Sequence, residues 1–484
     1  MAAVELRIDL STLINALVAG DKTQILAQAR NYLHQGDNPE VLLGRVGMLA
    51  VHGDPDGHPG ITLAAAAMLC RLLHTIPEPI DSQAQLLAKE RALPLFVEPL
   101  LAAFPSVRTG NSLPAQYPTP LYPSGLKEGQ TVNEVMHDAV YKNDALLTER
   151  LLLGLYGTGA DYRTMEARAY ESIATTFQNA GHPLIFAVRG FQLLDAVEWG
   201  DRAPHVLHWL APHLPLRPGN DQPDWVETVH NYATDPAHDV KGIRTRLSAP
   251  KDENALPLHA LILSDADTTQ VCQGVYDALI KGEASPRAIG SVISLAAADV
   301  MNRVGDGDRD LFVHVAHGLL FAAAVRTVFR QVQDVEVLPL LFTSAAFINT
   351  LQKEIATQQE ATEREAAVAA ASSSIIGGGL IAASQLETLN AQLKARDLPG
   401  ALSTARRYLK LGHDPRALFA VIGLAAGWVD ATADQGHTLQ IVQAAAEEFL
   451  NWPATLATTG HEILLQVAIR AAALGKRDPL VEKL

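Results

Sequence analysis

Two passages near opposite ends of this 484-residue chain are almost the same passage. Ala29-Arg30-x-Tyr32-Leu33-x-x-Gly36-x-x-Pro39 returns as Ala405-Arg406-x-Tyr408-Leu409-x-x-Gly412-x-x-Pro415. Each follows a Leu-x-x-x-Asp (Leu17 to Asp21, Leu393 to Asp397). Each precedes a histidine that opens an apolar helix, His58-x-x-Ile61-x-Leu63 and His437-x-Leu439-x-Ile441. Two weaker copies lie between them. Val140 to Asp144 leads to Gly181-His182-Pro183-Leu184-Ile185, and Leu279 to Glu283 leads to His314-Val315-Ala316-His317-Gly318. Internal repetition constrains a fold more than any local propensity, and this period is too long for common short solenoids. It predicts a few large helical units closing on each other.

The expected fold is therefore all-α, one composite bundle-like or toroidal body over 1–484. Its approximate units are 1–104, 132–210, 266–350 and 384–484, with irregular Pro-rich insertions at 105–131 and 211–258. Abundant Ala and Leu with only 6% aromatics favour helix over sheet. Apolar periodicity predicts helices over 10–34, 38–52, 60–75 and 83–104, then from Val132 to about Trp209. It predicts others over 266–281, 286–303, 309–330 and 335–370. Pro105 to Gln130 is expected to be loop, since proline removes a donor and clashes with the preceding turn. Glu354 to Ala371 reads as an exposed charged helix, broken by a hinge at Ser372 to Gly379.

A net charge of −15 argues against nucleic acid as a partner. The longest apolar runs are interrupted, by Arg71 and Arg326 for example, so no membrane span is expected. The start, Met1 to Glu5, has no basic region followed by an apolar run. Cys70 and Cys272 alone cannot build a disulfide framework, and a cytoplasmic setting is expected.

One histidine per repeat is a candidate metal set. Equivalent positions in a closed array face one axis, and imidazole suits iron, zinc, copper and nickel. The candidates are His58, His182, His314 or His317 or both, and His437 or His461. Glycines before three of them (Gly57, Gly181, Gly436) permit a sharp turn. The blander reading makes each histidine a helix cap or a filled polar slot. Glu134-x-x-His137 and Glu227-x-x-His230 suggest a carboxylate-bridged di-iron site, completed by Glu98, Glu166, Glu171 or Glu198. His205-x-x-His208 reads as packing beside Trp209. Asp306-x-Asp308-x-Asp310 lacks the EF-hand glutamate, since His317 takes the twelfth position.

Gly181-His182-Pro183-Leu184-Ile185-Phe186-Ala187 and His314-x-x-His317-Gly318-Leu319-Leu320-Phe321-Ala322-Ala323 resemble the questin oxidase-like family. The last unit, with His437-Thr438-Leu439 after Ala433-Asp434, resembles the large all-α regions found beside Rieske domains in some bacterial proteins. The resemblance implies a non-haem iron oxygenase or oxidase acting with dioxygen on a small organic, aromatic or polyketide-like substrate. It implies His58, His182, His317 and a histidine of the last unit as iron ligands. The family's late His-x-x-Lys is closest to His461-Glu462-Ile463-Leu464, where leucine replaces the lysine ligand. Rieske cysteine motifs are absent, so any electron donor would be a separate redox partner. Two other classes stand beside this one: a metal-free helical-repeat binding or scaffold protein, and a zinc hydrolase.

Overall fold

The computed structural model describes residues 9–77, 89–114, 116–197, 199–217, 222–235, 237–238, 250–332, 334–362, 381–456 and 460–483. All regular structure among them is helical, with one isolated bridge between Val429 and Arg477. The first unit holds α1 (Ser11–Ala19), α2 (Lys22–Gln35), α3 (Pro39–His52), α4 (His58–Cys70) and α5 (Leu93–Ser112). The next stretch holds α6 (Val132–Tyr141), α7 (Ala145–Gly157), α8 (Tyr162–Ile173), α9 (His182–Asp195), α10 (Ala203–Leu210) and α11 (Asp224–Thr234). Then come α12 (Pro257–Ile262), α13 (Thr268–Ile280), α14 (Pro286–Arg303), α15 (Arg309–Gln331) and α16 (Pro339–Thr362). The chain closes with α17 (Ala382–Ala395), α18 (Leu398–Lys410), α19 (Pro415–Ala426), α20 (His437–Leu450) and α21 (Glu462–Leu474).

Local chemistry sets many of these ends. Asp21 accepts hydrogen bonds from the amides of Thr23 and Gln24, capping α2, and Gly36 ends it at φ +89°. Asp397 caps α18 in the same way. The expected helix over 10–34 is two helices, because the chain turns left-handed at Gly20.

Two expectations are corrected. Helix α5 runs through Pro99 and Pro105 to Ser112, where loop was expected from Pro105. Burial of Leu95, Phe96, Leu100, Leu101 and Val107 outweighs the hydrogen bonds the prolines cannot make. The irregular stretch 211–258 contains α11, whose Val226, Val229 and Tyr232 are buried. The hinge at Ser372 to Gly379 lies outside the described residues.

At the centre, α4 packs on α9 and α20, and α15 packs on the same two helices. The four helices thus close a ring, α4–α9–α15–α20. The rest form an outer shell: α3 and α5 behind α4, α8 and α10 against α9, α14 and α16 behind α15, α19 and α21 behind α20. Helix α9 is buried all round from His182 to Leu194, and α20 from His437 to Glu448. Helix α15 and the segment Val335–Ala356 are long and apolar enough to cross a membrane, but 78% of each apolar window is buried inside the fold. They are core helices here. Cys70 and Cys272 are buried free thiols.

Candidate metal centre

Three of the four ring helices begin with the predicted histidine. His58, His182 and His437 are the first residues of α4, α9 and α20, each behind a left-handed glycine: Gly57 at φ +89°, Gly181 at +84° and Gly436 at +72°. The fourth is delivered from within its helix. His317 lies inside α15, not at a helix start, and reaches the same place from the third turn of an unbroken helix. Among the described residues, non-glycine backbone at positive φ occurs at six positions. Three of them, Asn179, Ala180 and Gln435, lie in the turns that deliver His182 and His437. Backbone strain is thus concentrated at this site.

The four imidazoles stand in a ring that follows chain order. Ring centroids are 5.1 Å apart for His58–His182, 5.0 Å for His182–His317, 4.9 Å for His317–His437 and 5.6 Å for His437–His58. Each histidine is fixed from behind through main chain. The Nδ1–H of His182 donates to the Asn179 carbonyl at 2.5 Å, that of His437 to the Asp434 carbonyl at 2.5 Å, and that of His317 to the His314 carbonyl at 3.0 Å. The Asp56 backbone acts on His58 in the same sense, favouring its protonated form. The bonds of His182, His317 and His437 assign their proton to Nδ1 and leave each Nε2 a bare lone pair.

Burial, and for His58, His182 and His317 then a neighbouring ring histidine, keeps the rings neutral. His58 is pushed down to about 4 by burial and then by His437. His182 falls to about 3 through burial and then His317, and His317 to about 4 through burial and then His437. Burial also lowers His437. Yet Nε2 of His182 is 3.3 Å from Nε2 of His58, and Nε2 of His437 is 3.2 Å from Nε2 of His317. The two bare lone pairs of His317 and His437 repel at this distance unless a cation lies between them. Nitrogens bound to one metal at about 2.1 Å sit about 3.0 Å apart at a right angle and about 3.4 Å apart in a tetrahedron. One ligand atom each from His58, His182 and His437 falls within 4.8 Å of the others. His317 stands outside that set of three and reaches it through His437, Nε2 to Nε2 at 3.2 Å. The residues fit a histidine-bound transition metal.

The turns are themselves braced. Asp54 accepts from the amides of Asp56, Gly57 and Gly60 ahead of His58. Gln178 holds the Asn179–Gly181 turn by donating to the Pro215 carbonyl and accepting from the Arg217 amide. Asp434 accepts from the Thr438 amide and pairs with Arg309 at 3.1 Å. Phe186 lies beside His58 and His182. Beyond it sits His213, 4.7 Å from the Phe186 ring, buried, and without a hydrogen-bond partner on either nitrogen. Sequence reasoning passed over His213, which carries no motif.

The other predicted residues lie elsewhere. His314 is exposed and pairs with Glu354 at 3.1 Å; only its carbonyl serves the ring. His461 precedes α21 and stacks on Trp452, 5.3 Å away. The Glu-x-x-His glutamates do not enter a common site. Glu134 is exposed and completes a capping box with Thr131, and Glu227 is exposed on α11. Glu171 pairs with Arg168, and Glu98 accepts from the Ala431 amide. Glu198 lies outside the described residues. His208 pairs with Glu149 at 2.6 Å rather than merely packing beside Trp209. Asp308 caps α15, and Asp306 pairs with Arg470.

Fold and site together define an all-α protein with a four-histidine centre held by main-chain carbonyls. No family model, curated protein or solved structure matches this chain.

Proposed function

We propose that the chain is a non-haem iron oxygenase or oxidase acting on a small organic molecule, with His58, His182, His317 and His437 as the iron ligands. The observation that carries this reading is the 3.2 Å approach of Nε2 of His437 to Nε2 of His317, whose protons are both committed to the opposite side of the ring, with Nε2 of His182 and His58 3.3 Å apart beside them. A cation turns that repulsion into ligation. A cyclic array of four neutral donors leaves coordination positions off the ring, whereas structural zinc is closed by four ligands in a tetrahedron. Bound iron would supply dioxygen binding and electron exchange with the substrate, with any external electron donor being a separate protein. The resemblance to the questin oxidase-like family points the same way.

The chain's own residues have separable tasks. The carbonyls of Asn179, Asp434 and His314 hold the imidazoles in one tautomer and one orientation. Phe186 covers one side of His58 and His182 and keeps water off that edge. His213, neutral because burial pushes it down to about 4, offers one donor and one acceptor to a polar group of a bound molecule.

The test is elemental analysis of tag-free, chelator-free protein beside a His182→Ala/His317→Ala double variant. The expected result is about one iron per chain, lost in the variant while circular dichroism stays helical. Oxygen uptake with a panel of small aromatic compounds would follow. Protein that takes up no iron even after anaerobic ferrous reconstitution would overturn the proposal and favour a metal-free scaffold.

A further inference from the structure

A second group of ligand-type side chains lies apart from the histidine ring. Glu98 is in α5, Asp430 follows α19, and Asp478 lies in the final segment, yet one carboxylate oxygen from each comes within 4.8 Å of the other two. Backbone pairing brings them together. The Asp430 amide donates to the Lys476 carbonyl at 2.7 Å, and the Asp478 amide to the Trp428 carbonyl at 3.1 Å, around the Val429–Arg477 bridge. Glu98 is 0% exposed and Asp478 7%. Lys22, mostly exposed, reaches Asp478 only at 4.0 Å.

The accounting of donors is incomplete in one place. Oε1 of Glu98 accepts from the Ala431 amide at 2.8 Å, but its wholly buried Oε2 has no partner. A buried carboxylate oxygen without a donor is costly, and three converging carboxylates make it costlier. The donors are all oxygen, with no nitrogen or sulfur among them. That is the preference of hard cations such as calcium, magnesium and manganese, not of the softer metals that imidazole and thiolate select.

We propose that Glu98, Asp430 and Asp478 bind a divalent cation of the calcium or magnesium class, which pins the turn leading to His437. Asp430 accepts from the amides of Thr432 and Ala433, and the Gly436 amide donates to the Ala431 carbonyl. The cation therefore joins α5 to the first residues of the turn that ends in His437. The site stands on its own geometry and does not depend on what the histidine ring holds.

The experiment uses the full chain, freed of divalent ions, titrated with calcium, magnesium or manganese by calorimetry and thermal melting. One of the three should bind once per chain and raise the melting temperature by a few degrees at about 100-fold excess over Kd. Glu98→Gln and Asp478→Asn should each abolish that binding, whereas His182→Ala should leave it intact. Folded protein that binds none of the three up to about 10 mM would overturn the proposal and leave a shared proton as the occupant. Binding unchanged in both carboxylate variants would overturn it equally.

Discussion

At the scale of single residues, this protein uses main-chain carbonyls where metal sites often use carboxylates. The carbonyls that fix His182, His437 and His317 come from three residues upstream in each case, so each ligand's orientation is encoded in its own turn. The glycine before the histidine is part of that turn. Gly436→Ala would place a methyl 1.9 Å from Thr62 Oγ1 on a backbone at φ +72°, and is expected to cost about 2–4 kcal/mol and to weaken metal retention. Gly159→Ala is the control: φ is +74° with nothing within 4 Å, so about 1–2 kcal/mol should be lost in urea melts with no change in metal. Away from the site, Glu166 is 1% exposed, and burial followed by Asp195 pushes its carboxyl up to about 8. A raised folded value means stability that is full below the unfolded value near 4.5 and lost as pH rises through about 8. Glu166→Gln should therefore be near neutral at pH 5 and stabilising by about 2 kcal/mol at pH 8.5, read from denaturant melts at both values. The histidines were legible as a set because the passages around them repeat. Which member of the third and last units belongs to the ring was not. His314 and His317 share a helix face, and His437 and His461 both stand at helix starts; only packing separates them.

At the scale of elements, the ring helices are tied together by buried charge as well as by apolar contact. Arg326 of α15, 2% exposed, donates to both oxygens of Glu448 of α20 at 2.7 Å. Glu447 meets Arg330 at 3.0 Å and, across to α9, Arg189 at 3.7 Å. Three ring helices are thus joined two to three turns beyond the histidines. Glu448→Gln should destabilise by roughly 3–5 kcal/mol, since it strands a buried guanidinium, and Arg326→Met/Glu448→Leu should recover much of that loss. A double variant as unstable as the single one in chemical melts would show that the pair itself, not the stranded charge, matters. None of this network was visible beforehand, because its members have no motif and are more than 100 residues apart in the chain. The helices were more legible. Apolar periodicity placed α3, α14 and α15 within a residue or two of their ends, at 38–52, 286–303 and 309–330. The end of helix α5, from Pro105 to Ser112, escaped because Pro105 dominates local propensity, while the packing that overrides it is tertiary.

At the scale of the whole molecule, the centre is where all four quarters of the chain meet. A ligand that binds only the assembled ring stabilises the entire fold by mass action. Chelator treatment should lower the melting temperature of the metal-loaded protein, and ferrous iron should restore it. The His182→Ala/His317→Ala protein should melt near the chelated wild type and respond to neither. A melting temperature indifferent to chelator in loaded wild-type protein would mean that the ring contributes nothing to holding the quarters together. Closure of the chain on itself was expected from the repeated passages. The order of the ring, His58, His182, His317, His437, was not, because sequence spacing says nothing about which neighbours touch.

That order has a consequence during synthesis. Roughly 380 residues separate the first ligand from the last, and at about 5–20 residues per second a ribosome needs on the order of 20–80 s to bridge them. Until His437 emerges, the nascent chain presents three donors with one side of the ring missing. Under the iron reading proposed above, loading of the full ring waits for His437, and a ribosome that stalls before that codon releases a product with no complete centre to fill.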